Sequence, residues 1–148
     1  MDRETLPGAG VTLLIVEDEI LPAMALRDEL EDAGYRVMDL TSRPQEALDA
    51  ALGRKPDLAL VNIQLHGRDD GIELARELKS MGIPVLFISG QGSRARMSRT
   101  AAIGSLPKPY SSRDMVLAVT YLLGRLKGDA TRERPPGLEV FDAVPDAA

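Results

Sequence analysis

The chain has no cysteine among its 148 residues, so neither a disulfide framework nor a thiolate metal centre is open to it. Its one histidine, His66, stands in a loop segment with nothing nearby to pair with it. That is a surface histidine rather than a metal ligand or a phosphorelay residue. No apolar run approaches the roughly 18 residues of a membrane span, and the N-terminus lacks a signal-peptide pattern. A soluble, cytoplasmic protein with no membrane contact is the expectation. The formal net charge of −5 argues against a dedicated nucleic-acid binder.

What is present is ordinary in composition, 44% hydrophobic and 28% charged, and amounts to one domain. Five short apolar runs punctuate the chain: Thr12–Val16, Arg36–Leu40, Leu58–Asn62, Val85–Ser89 and Ser105–Lys108. Three are nearly continuous in aliphatic residues, as suits parallel strands covered on both faces. Helical spacing fills the gaps. Residues 21–33 carry Leu26, Leu30 and Ala33, with Pro22 tolerable in a first turn. Residues 43–52 carry Ala47, Leu48, Ala51 and Leu52, and Ser42 with Gln45 has the spacing of a capping box. Asp70 and Glu73 stand in the same relation ahead of Leu74, Ala75, Leu78 and Met81 in a helix over 71–81. Residues 93–103 make a weak helix. Residues 112–126 make a strong one through Met115, Val116, Val119, Leu123 and Leu126.

Strand and helix alternate five times, which predicts a parallel sheet with helices on both faces and right-handed crossovers. In such sheets functional groups collect beyond the carboxyl ends of the strands. Four sets of polar residues fall there. Glu17-Asp18 follows the first strand, and two adjacent carboxylates suit a hard cation such as Mg²⁺, though acids also favour a helix entry. Asn62 ends the third strand. Ser89-Gly90 ends the fourth; alone it is turn chemistry. Lys108 ends the fifth, where an ammonium can pair with a carboxylate or phosphoryl group.

Taken together, Ile15-Val16-Glu17-Asp18, Asn62, Ser89 and Lys108-Pro109 resemble the site of a bacterial response-regulator receiver domain of two-component phosphorelay signalling, over residues 11–127. The resemblance implies a flavodoxin-like (βα)5 fold with a five-stranded parallel sheet. It implies Asp18 as a direct Mg²⁺ ligand, Glu17 acting partly through water, and the Gln64 backbone carbonyl as a further ligand beside position 62. Ser89 becomes the switch hydroxyl, Lys108 the site lysine, and Lys108-Pro109 the place for a cis peptide. Residues 1–10 are then a flexible arm. Residues 128–148, broken by Pro135-Pro136-Gly137 and Pro145, are a disordered tail outside the core, too short for an attached helix-turn-helix domain.

Three departures matter. The phosphoacceptor position holds Asn62, and a neutral amide is too weak a nucleophile to accept phosphate. The switch-aromatic position holds Ser105. The stretch from Ser89 to Lys108 is short, which should trim the fourth helix. Asp57 precedes the third strand and reads as structural, and Asp69 and Asp70 lack the strand-end placement an acceptor needs. The expected protein is a single-domain pseudo-receiver without enzymatic turnover. Its Mg²⁺ is weakly held, and it acts by contact with a sensor histidine kinase or another two-component protein. A homodimer through the last two helices, with Tyr121 on that surface, is the other contact in view. An engineered Asp-to-Asn variant of an ordinary phosphoaccepting receiver remains an alternative. So does a small α/β phosphatase, although Glu17-Asp18-Glu19 offers it no aspartate nucleophile with an acid partner.

Overall fold

A computed structural model of the chain describes residues 6–68, 70–90, 92–129 and 131–141. Met1–Thr5 of the expected arm, Asp69, and the last seven residues of the expected tail lie outside the described residues. The elements run β1 (Thr12–Val16), α1 (Ile20–Asp32), β2 (Arg36–Val37), α2 (Pro44–Gly53), β3 (Leu58–Asn62), α3 (Asp70–Ser80), β4 (Val85–Ser89), α4 (Gly92–Met97), β5 (Gly104–Pro107), α5 (Ser112–Leu126) and β6 (Glu139–Val140). Strand order is β2-β1-β3-β4-β5-β6. The first five strands are parallel, and β6 is antiparallel to β5.

The sheet divides the core in two because successive strand residues face opposite ways. Leu14, Val16, Ala59, Val61, Val85 and Phe87 pack toward α2, α3 and α4. Leu13, Ile15, Leu58, Leu60, Leu86 and Ile88 pack toward α1 and α5. The middle strands are buried throughout, as continuous aliphatic runs require. Among the described residues no helix is long and apolar enough to cross a membrane.

Several boundaries differ from the sequence expectation. The second strand was expected over Arg36–Leu40 but pairs only through Arg36 and Val37. The chain leaves the ladder and rejoins at Thr41, whose hydroxyl donates to the Ile15 carbonyl at 2.8 Å. The fourth helix ends at Met97 rather than 103, where Ser98 N–H bonds to both the Arg94 and Ala95 carbonyls and tightens the last turn. Glu46, not Gln45, reaches back to the Ser42 amide, at 3.1 Å. Asp70 is already helical rather than a cap. Leu52, expected on the apolar face of α2, is 75% exposed.

Two terminal segments also depart from expectation. Within the arm, the buried Gly8 donates its amide to the Ala33 carbonyl at 3.0 Å. The expected five-stranded parallel sheet has a sixth strand, drawn from residues expected to lie outside the core. The physical reason is burial: Leu138 and Phe141 are 4% and 8% exposed, one in each half of the core.

Asp57 has the structural role expected of it. Its carboxylate accepts from the Thr12 amide at 2.8 Å and its amide donates to the Thr12 carbonyl at 2.8 Å. These bonds set the entry of β3 level with β1.

One glycine fixes how closely α3 approaches the end of β3. A Cβ at Gly71 would lie 2.7 Å from the Cα and the carbonyl oxygen of Ile63, and nearer still to the Asn62 carbonyl oxygen. These are backbone atoms and cannot swing aside. Gly71→Ala is therefore expected to cost about 1–3 kcal/mol of stability, read by urea denaturation. Gly53, at the end of α2, has open space around it. Gly53→Ala should be neutral or stabilising by up to about 1 kcal/mol. Equal effects at the two positions would show that the approach of α3 is not tight.

Candidate functional site

Register brings the polar residues together. Val16 is level with Val61, so Glu17 and Asn62 emerge side by side at the carboxyl ends of β1 and β3. Asn62 is level with Ile88, and Ser89 with Pro107, which places Ser89 and Lys108 one strand and two strands further along. With β2 on the far side of β1, the strand order reverses at β1/β3, the crevice where open α/β sheets place their sites. The Lys108 amide donates to the Ser89 carbonyl at 2.8 Å. The Lys108-Pro109 peptide is cis.

Glu17, Asn62 and Ser89 are 4%, 5% and 3% exposed, so any polar atom among them needs a partner. Asn62 Nδ2 donates to Glu17 Oε2 at 2.7 Å and to Asp18 Oδ1 at 3.2 Å. Asn62 Oδ1 accepts from the Gln64 amide at 3.3 Å. This orientation is forced, since the reverse would press a carbonyl oxygen against two carboxylates and leave the Gln64 N–H without its acceptor. Lys108 Nζ donates to Glu17 Oε1 at 3.1 Å and lies 4.0 Å from Glu19. The His66 amide donates to Asp18 Oδ2 at 3.1 Å. Each of the four oxygens of the acid pair thus has a donor from the chain itself.

Burial works to raise the Asp18 carboxyl, and it is outweighed. The His66 amide, its own amide and the His66 charge are among the causes that hold it below the usual carboxylate value. Tyr110, beside Lys108, is pushed up to about 12, first by burial and then by the charges of Glu17 and Glu19. Its phenol stays neutral. A cleft of about 540 Å³ opens here, with Glu17, Glu19, Lys108 and Tyr110 in its wall.

The sequence reading missed the backbone of His66. His66 and Gly67 have φ of 51° and 78°, and Leu65 and Arg68 exchange amide–carbonyl bonds of 2.7 and 2.9 Å around them. This tight turn aims the His66 N–H at Asp18 while its side chain is exposed. The His-Gly pair was the available signal, since turns of this type need two residues at positive φ. Gln64, expected to offer a carbonyl to a metal, contributes its amide to Asn62. Ser105 is buried on β5 between Phe87 of β4 and Glu139 of β6.

Receiver domains generally bind Mg²⁺ at such an acidic pocket, and the donor pattern tests the fit here. Two carboxylates against one ammonium leave a formal charge of −1, and the carboxamide points its N–H bonds, not its oxygen, at the acids. A hard cation needs those oxygens. To enter, it must turn the amide over and break both bonds. As arranged, the residues do not fit a resident Mg²⁺.

Residues 13–120 match the family described as the response regulator receiver domain. The chain is 32% identical over 119 residues to the transcriptional regulatory protein PdtaR of Mycobacterium tuberculosis, covering 78% of this chain and 58% of that one. It is 33% identical over 133 residues to the phosphate regulon transcriptional regulatory protein PhoB of Pseudomonas aeruginosa, covering 85% and 57%. It spans little more than half the length of these curated relatives. A putative response regulator from Chloroflexus aurantiacus has a similar structure, with a TM-score of 0.70 at 30% identity over 78% of this chain and 98% of that one. The chain belongs to the response-regulator receiver domains of two-component signalling.

Proposed function

We propose that this receiver works without phosphorylation at position 62, and that the Asn62 amide holds its acid pair in the place a cation would take. The observation that carries the reading is the pair of bonds from Asn62 Nδ2 to Glu17 and Asp18, at 2.7 and 3.2 Å. A carboxylate at this point has the nucleophilic oxygen that phosphoryl transfer requires; the amide does not. It also has no N–H to give the acids, so it would create three like charges within hydrogen-bonding distance. Asn62 removes the reactive atom and relieves that repulsion together.

Output on this reading is protein–protein contact rather than turnover. The partner is a sensor histidine kinase or another two-component protein. Support comes from the surface beside the site, where Ile20, Leu21 and Met24 of α1 are 61%, 75% and 39% exposed. Three large apolar side chains on one short stretch of helix suit a docking face. A self-association through α4 and α5 is the second contact in view, favoured by Met97 and Leu117 at 86% and 44% exposure.

Incubated with a small phosphodonor and Mg²⁺, the chain should gain no phosphoryl group by intact-mass measurement. Asn62→Asp should gain one, with Lys108 and Ser89 placed to meet phosphoryl oxygens. A stoichiometric adduct on the unsubstituted chain would overturn the proposal. An Asn62→Asp protein that stays unmodified would show a site altered beyond one residue.

The same substitution should couple stability to Mg²⁺. In chelator, Asn62→Asp is expected to lose about 1–3 kcal/mol relative to the parent, through two lost hydrogen bonds and added repulsion. Mg²⁺ should restore this, and should bind the variant at least about tenfold more tightly than the parent. Thermal melts and calorimetric titration read the two effects. Equal Mg²⁺ affinities would place residue 62 outside any metal shell.

A further inference from the structure

The outer edge of β5 is occupied by the chain's own Leu138–Phe141 segment, and the contacts are those of a seated peptide. Gly104 is level with Val140 and Ser105 with Glu139, in antiparallel register. The Phe141 amide donates to the Ile103 carbonyl at 2.9 Å. Leu138 enters the core half shared by α1 and α5, and Phe141 the half shared by α2, α3 and α4. Arg96 Nη1 meets Glu139 Oε1 at 2.6 Å. The edge is also shaped for a strand. A Cβ at Gly104 would lie 2.8 Å from the Glu139 carbonyl oxygen, so only glycine admits backbone this close.

The occupant is weakly retained. Its ladder is two residues long. The ion pair is half exposed, at 55% and 41%, a setting in which such pairs contribute little. The connecting residues Thr131–Arg134 are exposed, and Arg132–Pro136 face Leu117, Thr120 and Tyr121 of α5 across a cleft of about 540 Å³. Two apolar side chains and a short ladder hold the segment, and of the described residues from Thr131 to Gly137 that lead to it, Pro135 alone is buried.

We infer that the β5 edge is a strand-docking site whose resident occupant is residues 138–141. A partner protein displaces it with an extended segment of the same chemistry: an acidic residue between apolar ones, ending in an aromatic. Main-chain bonds to β5 supply the affinity, while Arg96 and the two apolar seats supply selection. Arg96 sets the preference for an acid at the central position. Its ladder pairs fall at Gly104 and Ser105, the half of β5 farther from Lys108.

The test uses the full chain and a fluorescent peptide with the sequence of residues 135–141, read by anisotropy. The parent should bind it weakly, because the resident segment competes. Phe141→Ala removes one seat contact from the resident alone and should tighten peptide binding by about tenfold or more. Adding Gly104→Val should abolish that gain. In case Phe141→Ala folds poorly, the surface variant Arg96→Glu repels the resident Glu139. It should prefer a peptide with arginine at the Glu139 position over the unsubstituted one by about tenfold. Equal binding by parent and Phe141→Ala, or an Arg96→Glu protein blind to the peptide charge, overturns the inference. A parent that forms concentration-dependent dimers by exchanging this segment overturns it in favour of a second copy as the occupant.

Discussion

A carboxamide between two carboxylates organises the working end of this molecule. Glu17 and Asp18 arrive together at the end of β1 because they are adjacent in the chain, and their mutual repulsion needs an answer. The Asn62 Nδ2 group gives it, with one N–H to each acid. Lys108 closes the far side of Glu17 and the His66 amide the far side of Asp18. The result is a cluster of formal charge −1 in which every carboxylate oxygen has a donor from the chain itself. An ion would bring more charge, but it would also bring exchange with solvent and dependence on its concentration. The amide brings neither.

This cluster depends on register more than on any contact within it. The Thr12–Asp57 exchange sets β3 against β1, and from there the ladder carries Val61 level with Val16. A slip of one residue would turn Asn62 to the other face of the sheet and leave Glu17 with a buried charge beside Val61. Gly71 adds a second constraint by letting the first turn of α3 rest on the backbone at Asn62 and Ile63.

Much of this was legible in the chain. The boundaries of β1, β3, β4 and α5 fall where continuous aliphatic runs and a strong helical stripe put them, because burial on both faces leaves such segments no alternative pairing. The strand-end residues could be placed together for the same reason. The direction of the Asn62 amide could not, since it depends on which neighbours remain as donors once the loops are folded. The His66 N–H was hidden because a backbone group has no letter of its own. β6 was masked by its setting. Leu138-Glu139-Val140-Phe141 alternates as a strand does, yet Pro135-Pro136-Gly137 before it drew the whole segment into the class of solvated tails. The fourth helix is present but short, as the brief stretch from Ser89 to Lys108 implies, and it has little apolar face: Ala95 is its one buried residue.

The two margins of the sheet share a property with a bearing on life at high concentration. β2 pairs over two residues and β6 over two, while the four strands between them are longer. A sheet ending in such stubs gives a foreign chain almost no row of free amides and carbonyls to copy, and edge-to-edge growth into aggregates is starved at the start. Release of β6 would uncover Gly104–Pro107, a longer margin with apolar seats on both sides. The short antiparallel strand over Glu139–Val140 therefore covers a margin that would otherwise present an open row of backbone groups.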